Sequence, residues 1–266
     1  MHDQTDRLSR QLQGIRLCLR GDRTLFLPET ESLLVADLHL GKSRHFRSRG
    51  LGVPEGADRD SAARLLRAVA ELRPRELVVL GDLMHSAGAL STDLIRRLVG
   101  DLQEGGVEEI VLIRGNHDRG SRSIESLEAA GIRVLPALRH ASGLELRHEP
   151  PAGAAGKNDP AGGVAAGGST DARAADASTG PDDPRVSAAP AAPYAAGHLH
   201  PVARISAPGE RLRLPAFVIE EAGIILPAFG SFTGGAPVEA QPRRRRVAIW
   251  GGALISLDGE AAGESP

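Results

Sequence analysis

Three apolar runs of strand length, "LLVADLHL" (33–40), "ELVVLGDLMH" (76–85) and "EIVLIRGNHD" (109–118), all finish in Asp, His or Asn. An unbroken aliphatic run of this length suits a strand buried on both faces, as in a parallel sheet covered by helices. The segments between them carry helical period. In "DRDSAARLLRAVAELRP", Ala62, Leu65, Leu66, Val69 and Leu72 form one apolar stripe that Pro74 stops. A second helix is predicted in "STDLIRRLVGDLQEGG", capped by Ser91 or Thr92 and ended at Gly105, and a shorter one in "SIESLEAAG". Strand alternating with helix is the pattern of βαβ units. Beyond residue 130 the pattern changes to short strands and turns: "IRVLP", "GLELRHEP", "RLRLPAFVIEEAGIILPAF" and "RRVAIWGGALISL". The opening "GIRLCLRGDRTLFL" reads as a hairpin. The fold expected is α/β, a mixed two-sheet sandwich.

Residues 150–193 stand apart. Their only large aliphatics are Val164 and Val186, among Ala, Gly, Pro, Ser and Asp. Such a segment buries too little apolar surface to offset its ordering entropy. The composition predicts a disordered insertion inside a single domain of residues 1–266.

The remaining composition excludes more than it suggests. A net charge of -2 gives no global attraction to nucleic acid or membrane, so any such site must be a local patch. Aromatics are 3% of the chain, which leaves little for stacking bases. The single cysteine, Cys18, excludes an intrachain disulfide and reads as a strand position beside Arg16 and Arg20. The N-terminal "MHDQTDRLSRQLQ" is polar and lacks the apolar core of a secretory signal, and no run of about 18 apolar residues is present. A cytoplasmic protein without a membrane partner is expected.

The polar strand ends are the informative part, because ligands bind where the carboxyl ends of parallel strands open into a crevice. They carry "DLH" (37–39), "GDLMH" (81–85) and "GNHD" (115–118), followed by "RHEP" (147–150) and "GHLH" (197–200). Six of the nine histidines fall in these five clusters. Asp, Asn and His are hard and borderline donors that favour Mn²⁺, Fe or Zn²⁺ over metals that prefer thiolate. Two such ions sharing a carboxylate can activate water for in-line attack at phosphorus.

The ordered set D-x-H, GD-x-x-H, GNHD, H and GH-x-H resembles the calcineurin-like binuclear metallophosphoesterases, whose fold is a two-sheet α/β sandwich. The resemblance implies that Asp37, His39 and His200 hold one metal and that Asn116, His148 and His198 hold the other, with Asp82 bridging. It implies that His117 lies off the metals as general acid. A closer resemblance covers nearly the whole chain: "VADLHLGKSRHFRSRGLGVPEG", "GDLMHS", "RGNHD", "HEPP", "GHLHPV" and "LPAFGSFTGG" are similar to the ligase-associated DNA damage response endonucleases. That branch implies a manganese-dependent nuclease acting on single-stranded DNA in repair, encoded near a DNA ligase and a helicase. The long 150–193 insertion departs from its pattern.

Several residues keep two readings at this point. His85 stands where many phosphatases of this superfamily carry Asp; it either contacts the substrate phosphate or is structural. Arg114, and the segment Lys42, Arg44, His45, Arg47 and Arg49, either steer phosphate or form a solvated loop. The run Arg243–Arg246 is either a nucleic-acid contact or a solvated strand edge. His140, in "LRHASG", reads as incidental. Two alternatives to the nuclease remain: a phosphatase or pyrophosphatase for a small nucleotide, and a non-catalytic scaffold on the same fold.

Overall fold

The computed structural model describes residues 5–43, 46, 56–85, 92–118, 120–151, 154, 192–207, 210–231 and 233–258. Arg47, and all of the 150–193 segment except residues 150, 151, 154, 192 and 193, lie outside them. Among the described residues, two sheets make up the architecture. The first has seven strands in sequence order: β1 (Arg7–Leu12), β2 (Ile15–Arg20), β3 (Leu25–Leu27), β4 (Ser32–Val35), β5 (Glu76–Leu80), β6 (Glu109–Ile113) and β7 (Arg133–Leu135). Strands β1 to β4 pair antiparallel, and β4 to β7 pair parallel.

The parallel strands are joined by α1 (Ala57–Leu72), α2 (Thr92–Glu104) and α3 (Ser121–Glu128). In α1, Asp58 and Asp60 in the first turn complement the helix dipole. Arg73 closes the helix with φ 48°, its N–H donating to Val69 O just before Pro74. The buried face of α1 is rotated from the expected stripe: Ser61, Leu65, Ala68 and Val69 are its buried residues, while Leu66 and Leu72 are partly covered.

Alternation along the parallel strands explains why their sequences are apolar throughout. Leu33, Val35, Leu77, Val79, Ile110 and Leu112 pack beneath the helices. Leu34, Ala36, Val78, Leu80, Val111 and Ile113 face the second sheet, meeting Ala195, Phe217, Ile224, Leu226 and Val247. Each such aliphatic contributes about 1.5–3 kcal/mol on full burial. The two layers lock the parallel strands from both sides.

The second sheet has nine strands: β8 (Leu138–Arg139), β9 (Glu145–Leu146), β10 (Tyr194–Ala196), β11 (Pro201–Ala207), β12 (Glu210–Ile219), β13 (Gly223–Ile225), β14 (Ala236–Pro237), β15 (Arg245–Trp250) and β16 (Ala253–Ser256). After β13 the chain crosses between the sheets. Leu226 N–H donates to Ala196 O (2.8 Å), Phe229 N–H to Ala36 O (2.7 Å) and Gly230 N–H to Asp37 O (3.1 Å). The carboxyl ends of β4, β5, β6 and β10 therefore meet at one edge of the sandwich.

Two sequence expectations change here, and one strand appears where the sequence reading assigns none. The polar N-terminal run is a strand: β1 pairs along β2 from Arg7↔Arg20 to Leu12↔Ile15. The Arg243–Arg246 run is tied to acids, with Arg243 on Glu221, Arg244 on Glu220 and Arg246 on Asp258. His140 is not incidental, for it is buried between the sheets. Its Nδ1 accepts the Ser142 N–H (3.1 Å), which places a proton on Nε2, 2.7 Å from Glu76 Oε2 and 3.2 Å from Ser32 Oγ.

His140→Ala should cost about 1–3 kcal/mol, because it leaves the Glu76 carboxylate without its buried partner. Urea unfolding at pH 7 measures this. Burial raises the Glu76 pKa, but the His140 hydrogen bond outweighs it and the net shift is downward. Stability from this pair is thus present above the unfolded carboxylate pKa of about 4.3 and lost as pH falls through the folded value. The deficit of the variant should shrink in acid.

Candidate metal centre

Five polar clusters arrive at the shared edge, three of them on turns with an unusual backbone. Asp37 (φ 53°), His39 (47°), Asp82 (49°), His198 (68°) and His200 (46°) all adopt left-handed conformations. Such a conformation costs a non-glycine residue on the order of 1–3 kcal/mol and persists only where the surroundings enforce it. Here the enforcement is hydrogen bonding: His39 N–H donates to Asp82 O (2.9 Å), His198 N–H to Asp37 Oδ2 (2.8 Å) and His117 N–H to Asp82 Oδ1 (2.9 Å). Gly81 (φ 85°) and Gly115 leave no room for a side chain, since a Cβ would strike the His148 ring at the first and Asp82 at the second.

The side chains converge. Asp37 is fully buried and Asp82 is 4% exposed. Asp82 Oδ2 lies 3.7 Å from His39 Nε2, 3.7 Å from His148 Nε2 and 4.0 Å from His117 Nε2. Asp37 Oδ1 lies 3.3 Å from His200 Nε2 and 3.9 Å from His148 Nδ1. Three groups have ligand atoms close enough to hold an ion: Asp37, His39 and His200; Asp37, Asp82 and His148; and His39, His85 and His117. Asn116 joins from the other side, with Nδ2 3.4 Å from His198 Nδ1.

Ring tautomers test whether a metal fits. His148 Nδ1 donates to Leu80 O (2.9 Å), which leaves a lone pair on Nε2, and that atom faces His198 Nδ1 at 3.1 Å. His200 Nδ1 donates to Gly234 O (3.2 Å), which leaves a lone pair on Nε2 facing His39 Nε2 at 3.2 Å. Backbone carbonyls orient metal-binding histidines in this manner. Two pairs of facing imidazole nitrogens beside two buried carboxylates suit two cations, and the donor set fits a dinuclear centre.

Protonation agrees. Burial, together with the neighbouring His200, Lys42, His117 and His85, pushes the His39 pKa down to about 2, so the ring is neutral. Burial and His148 push His198 down too. For His200, burial opposes the charged form, but the Asp37 carboxylate outweighs it and raises the pKa.

All seven expected ligands therefore come together, and His85 and His117 stack beside them with ring centroids 5.3 Å apart. The His117 side chain is 44% exposed and faces the opening. Arg114 is exposed at the end of β6, and among the described residues no hydrogen bond or ion pair of its guanidinium ties it to the cluster. Arg47 lies outside the described residues. Lys42 is half-buried on the turn after His39, and burial lowers its pKa.

Asp118 closes the "GNHD" motif, yet sequence reasoning gave it no role. The residue is fully buried and accepts N–H groups from Gly115 (3.0 Å) and Met84 (3.4 Å), tying the turn after β6 to the turn after β5. Burial, offset in part by those hydrogen bonds, raises its pKa. The Gly234–Gly235 turn that orients His200 is visible in the sequence only as the tail of "LPAFGSFTGG".

Two mixed sheets with an Asp/His centre at their common edge define a metallophosphoesterase. Residues 32–173 match the calcineurin-like phosphoesterase family, and the chain belongs to it. The family uses a dinuclear metal centre, which the clusters above can supply. Among solved structures, the chain is similar to the nuclease MPE of Pseudomonas putida, with a TM-score of 0.65 and 28% identity over 94% of this chain and 100% of that one. No curated protein matches it by sequence. No helix among the described residues is long and apolar enough to cross a membrane.

Proposed function

We propose that this chain is a two-metal phosphodiesterase, a manganese-dependent endonuclease of the ligase-associated DNA damage response branch that cleaves single-stranded DNA. The observation that carries the nuclease reading is likeness to a nuclease over 94% of this chain and the whole of that one. Single-strand preference, repair, functional association with a ligase and helicase, and a cytoplasmic location rest on the sequence motifs alone. Residues 1–266 form one domain in this reading, because one core joins β2 near the N-terminus to β16 near the C-terminus.

In this mechanism Asp37, His39 and His200 would hold one ion and Asn116, His148 and His198 the other, with Asp82 shared between them. When bound, the ions supply Lewis acidity and a water made nucleophilic at neutral pH. The chain's own residues do the rest. Asp82 Oδ1 fixes the His117 backbone, which aims the exposed imidazole at the leaving oxygen. Protonated His117 delivers its Nε2 proton to the departing alkoxide. His85, stacked on His117, contacts a phosphate oxygen and keeps that ring in place.

The test incubates the full chain with single-stranded and duplex oligonucleotides and with mononucleotides, using Mn²⁺, Mg²⁺, Zn²⁺ or no metal. Internal cleavage of single strands with Mn²⁺, and none without metal, is expected. Turnover of mononucleotides alone would move the assignment to a small-nucleotide phosphatase, the alternative that the acidic net charge favours. A protein that purifies without metal and hydrolyses nothing would point to a scaffold.

A further inference from the structure

Strand β12 outruns its own sheet. Val218 pairs with Ile225 and Ile219 with Ile224, and the chain after Ile225 runs directly to the metal-site edge. Residues 210–215 therefore project past that edge, paired among the described residues only with β11, which starts one residue after His200. The result is a two-stranded ribbon rooted at the metal centre.

One face of the ribbon is packed: Ala203, Ile205 and Leu214 cluster with Ala216, Ala248 and Ile255. The other face carries Arg204 directly opposite Arg213, and Ser206 opposite Arg211. All three arginines are exposed. Like charges directly opposite one another destabilise a sheet. Several other strand arginines in this fold have acids, as with Arg16 on Glu29 and Arg133 on Glu109. Among the described residues no carboxylate pairs with Arg204, Arg211 or Arg213. Arg213 instead donates to Gly235 O (2.6 Å), adjoining the Gly234 carbonyl that orients His200.

We propose that this arginine ladder is a track for the phosphodiester backbone of a single-stranded polynucleotide leaving the metal centre. The proposal rests on the nuclease reading for the identity of the strand. Complementary charge selects the occupant: a chain of net charge -2 concentrates three guanidiniums, none with a described carboxylate partner, on a narrow ribbon beside a phosphoester site. Guanidinium forks match phosphate oxygens. Successive cross-strand pairs on one face stand about 7 Å apart, so the ladder meets several phosphates of an extended strand rather than one.

The experiment measures binding of a fluorescein-labelled oligo-dT of about 20 nucleotides to the full chain by anisotropy, in EDTA to stop cleavage, across about 50–200 mM salt. For Arg204→Gln/Arg211→Gln, Kd should rise about tenfold at about 100 mM salt. The slope of log K against log salt should flatten by about 1.4, or about 0.7 for each lost phosphate contact. The melting temperature should hold or rise as the like-charge contact is relieved; Arg211→Gln alone, with half the slope change, serves if the double variant misfolds. Affinity and slope equal to wild type would overturn the track. So would wild-type protein that ignores oligo-dT but binds phosphatidylserine vesicles or polyglutamate. Because binding is read without metal, a protein that cleaves no DNA yet shows the slope change loses the nuclease reading and keeps the track. Cleavage with an unchanged slope does the reverse.

Discussion

Asp82→Asn protein should purify folded, hold fewer than two divalent ions per chain, and lose activity on every phosphodiester by on the order of 10³-fold or more. Asp82 sits at the centre of the cluster, its Oδ2 within 4.0 Å of three imidazole nitrogens and its Oδ1 accepting the His117 N–H. Its loss therefore removes charge from both ion positions at once, unlike loss of Asn116 or His198 at one side. Asn is a better replacement than Ala because Asp82 has φ 49°, a conformation that Asn tolerates and Ala resists. The amide can still accept the His117 N–H, so the turn keeps its shape while the bridging charge goes. Metal content by mass spectrometry and hydrolysis of a nitrophenyl diester decide the matter. Two ions per chain with wild-type turnover would falsify the bridging role.

The metal centre is legible in the sequence for a physical reason. Strands β4, β5 and β6 are buried on both faces, so their polar residues are confined to the ends, where Asp37, Asp82 and Asn116 stand out against aliphatic runs. What the sequence hides depends on contacts between distant residues. Strand β1 is a polar edge with two apolar residues, partly covered Leu8 and buried Leu12, and its pairing with β2 is set by the turn at Gln13–Gly14. Nothing local in the sequence marks Arg20, yet its side chain is buried and held by Asp22 and by Glu71, 51 positions away. The left-handed backbone at Asp37, His39, His198 and His200 falls on residues other than glycine, because the surrounding hydrogen bonds rather than local preference impose it. His140 looks incidental in the sequence because its partners Ser32 and Glu76 lie on the other sheet.

The second large effect separates two substrates rather than abolishing both. A DNA sugar alkoxide is a poor leaving group and needs a proton as the P–O bond breaks, worth roughly 10²–10⁴-fold in rate. A nitrophenolate leaves without one, since its conjugate acid is already strong. Of the rings in the cluster, His117 is the one suited to deliver that proton. Its side chain is 44% exposed, its backbone is fixed by Asp82, and His85 stacks against it. His39 serves poorly as a donor, because burial and its cationic neighbours keep it neutral. His117→Ala should therefore lower cleavage of single-stranded DNA by about 10²–10⁴-fold and leave hydrolysis of a nitrophenyl phosphodiester within a few-fold of wild type, with two metals still bound. His85→Ala should lose on DNA in the same sense through a weaker grip on phosphate, raising KM where His117→Ala lowers kcat. Equal losses on both substrates at unchanged metal content would mean that His117 holds the site in shape rather than protonating the leaving oxygen.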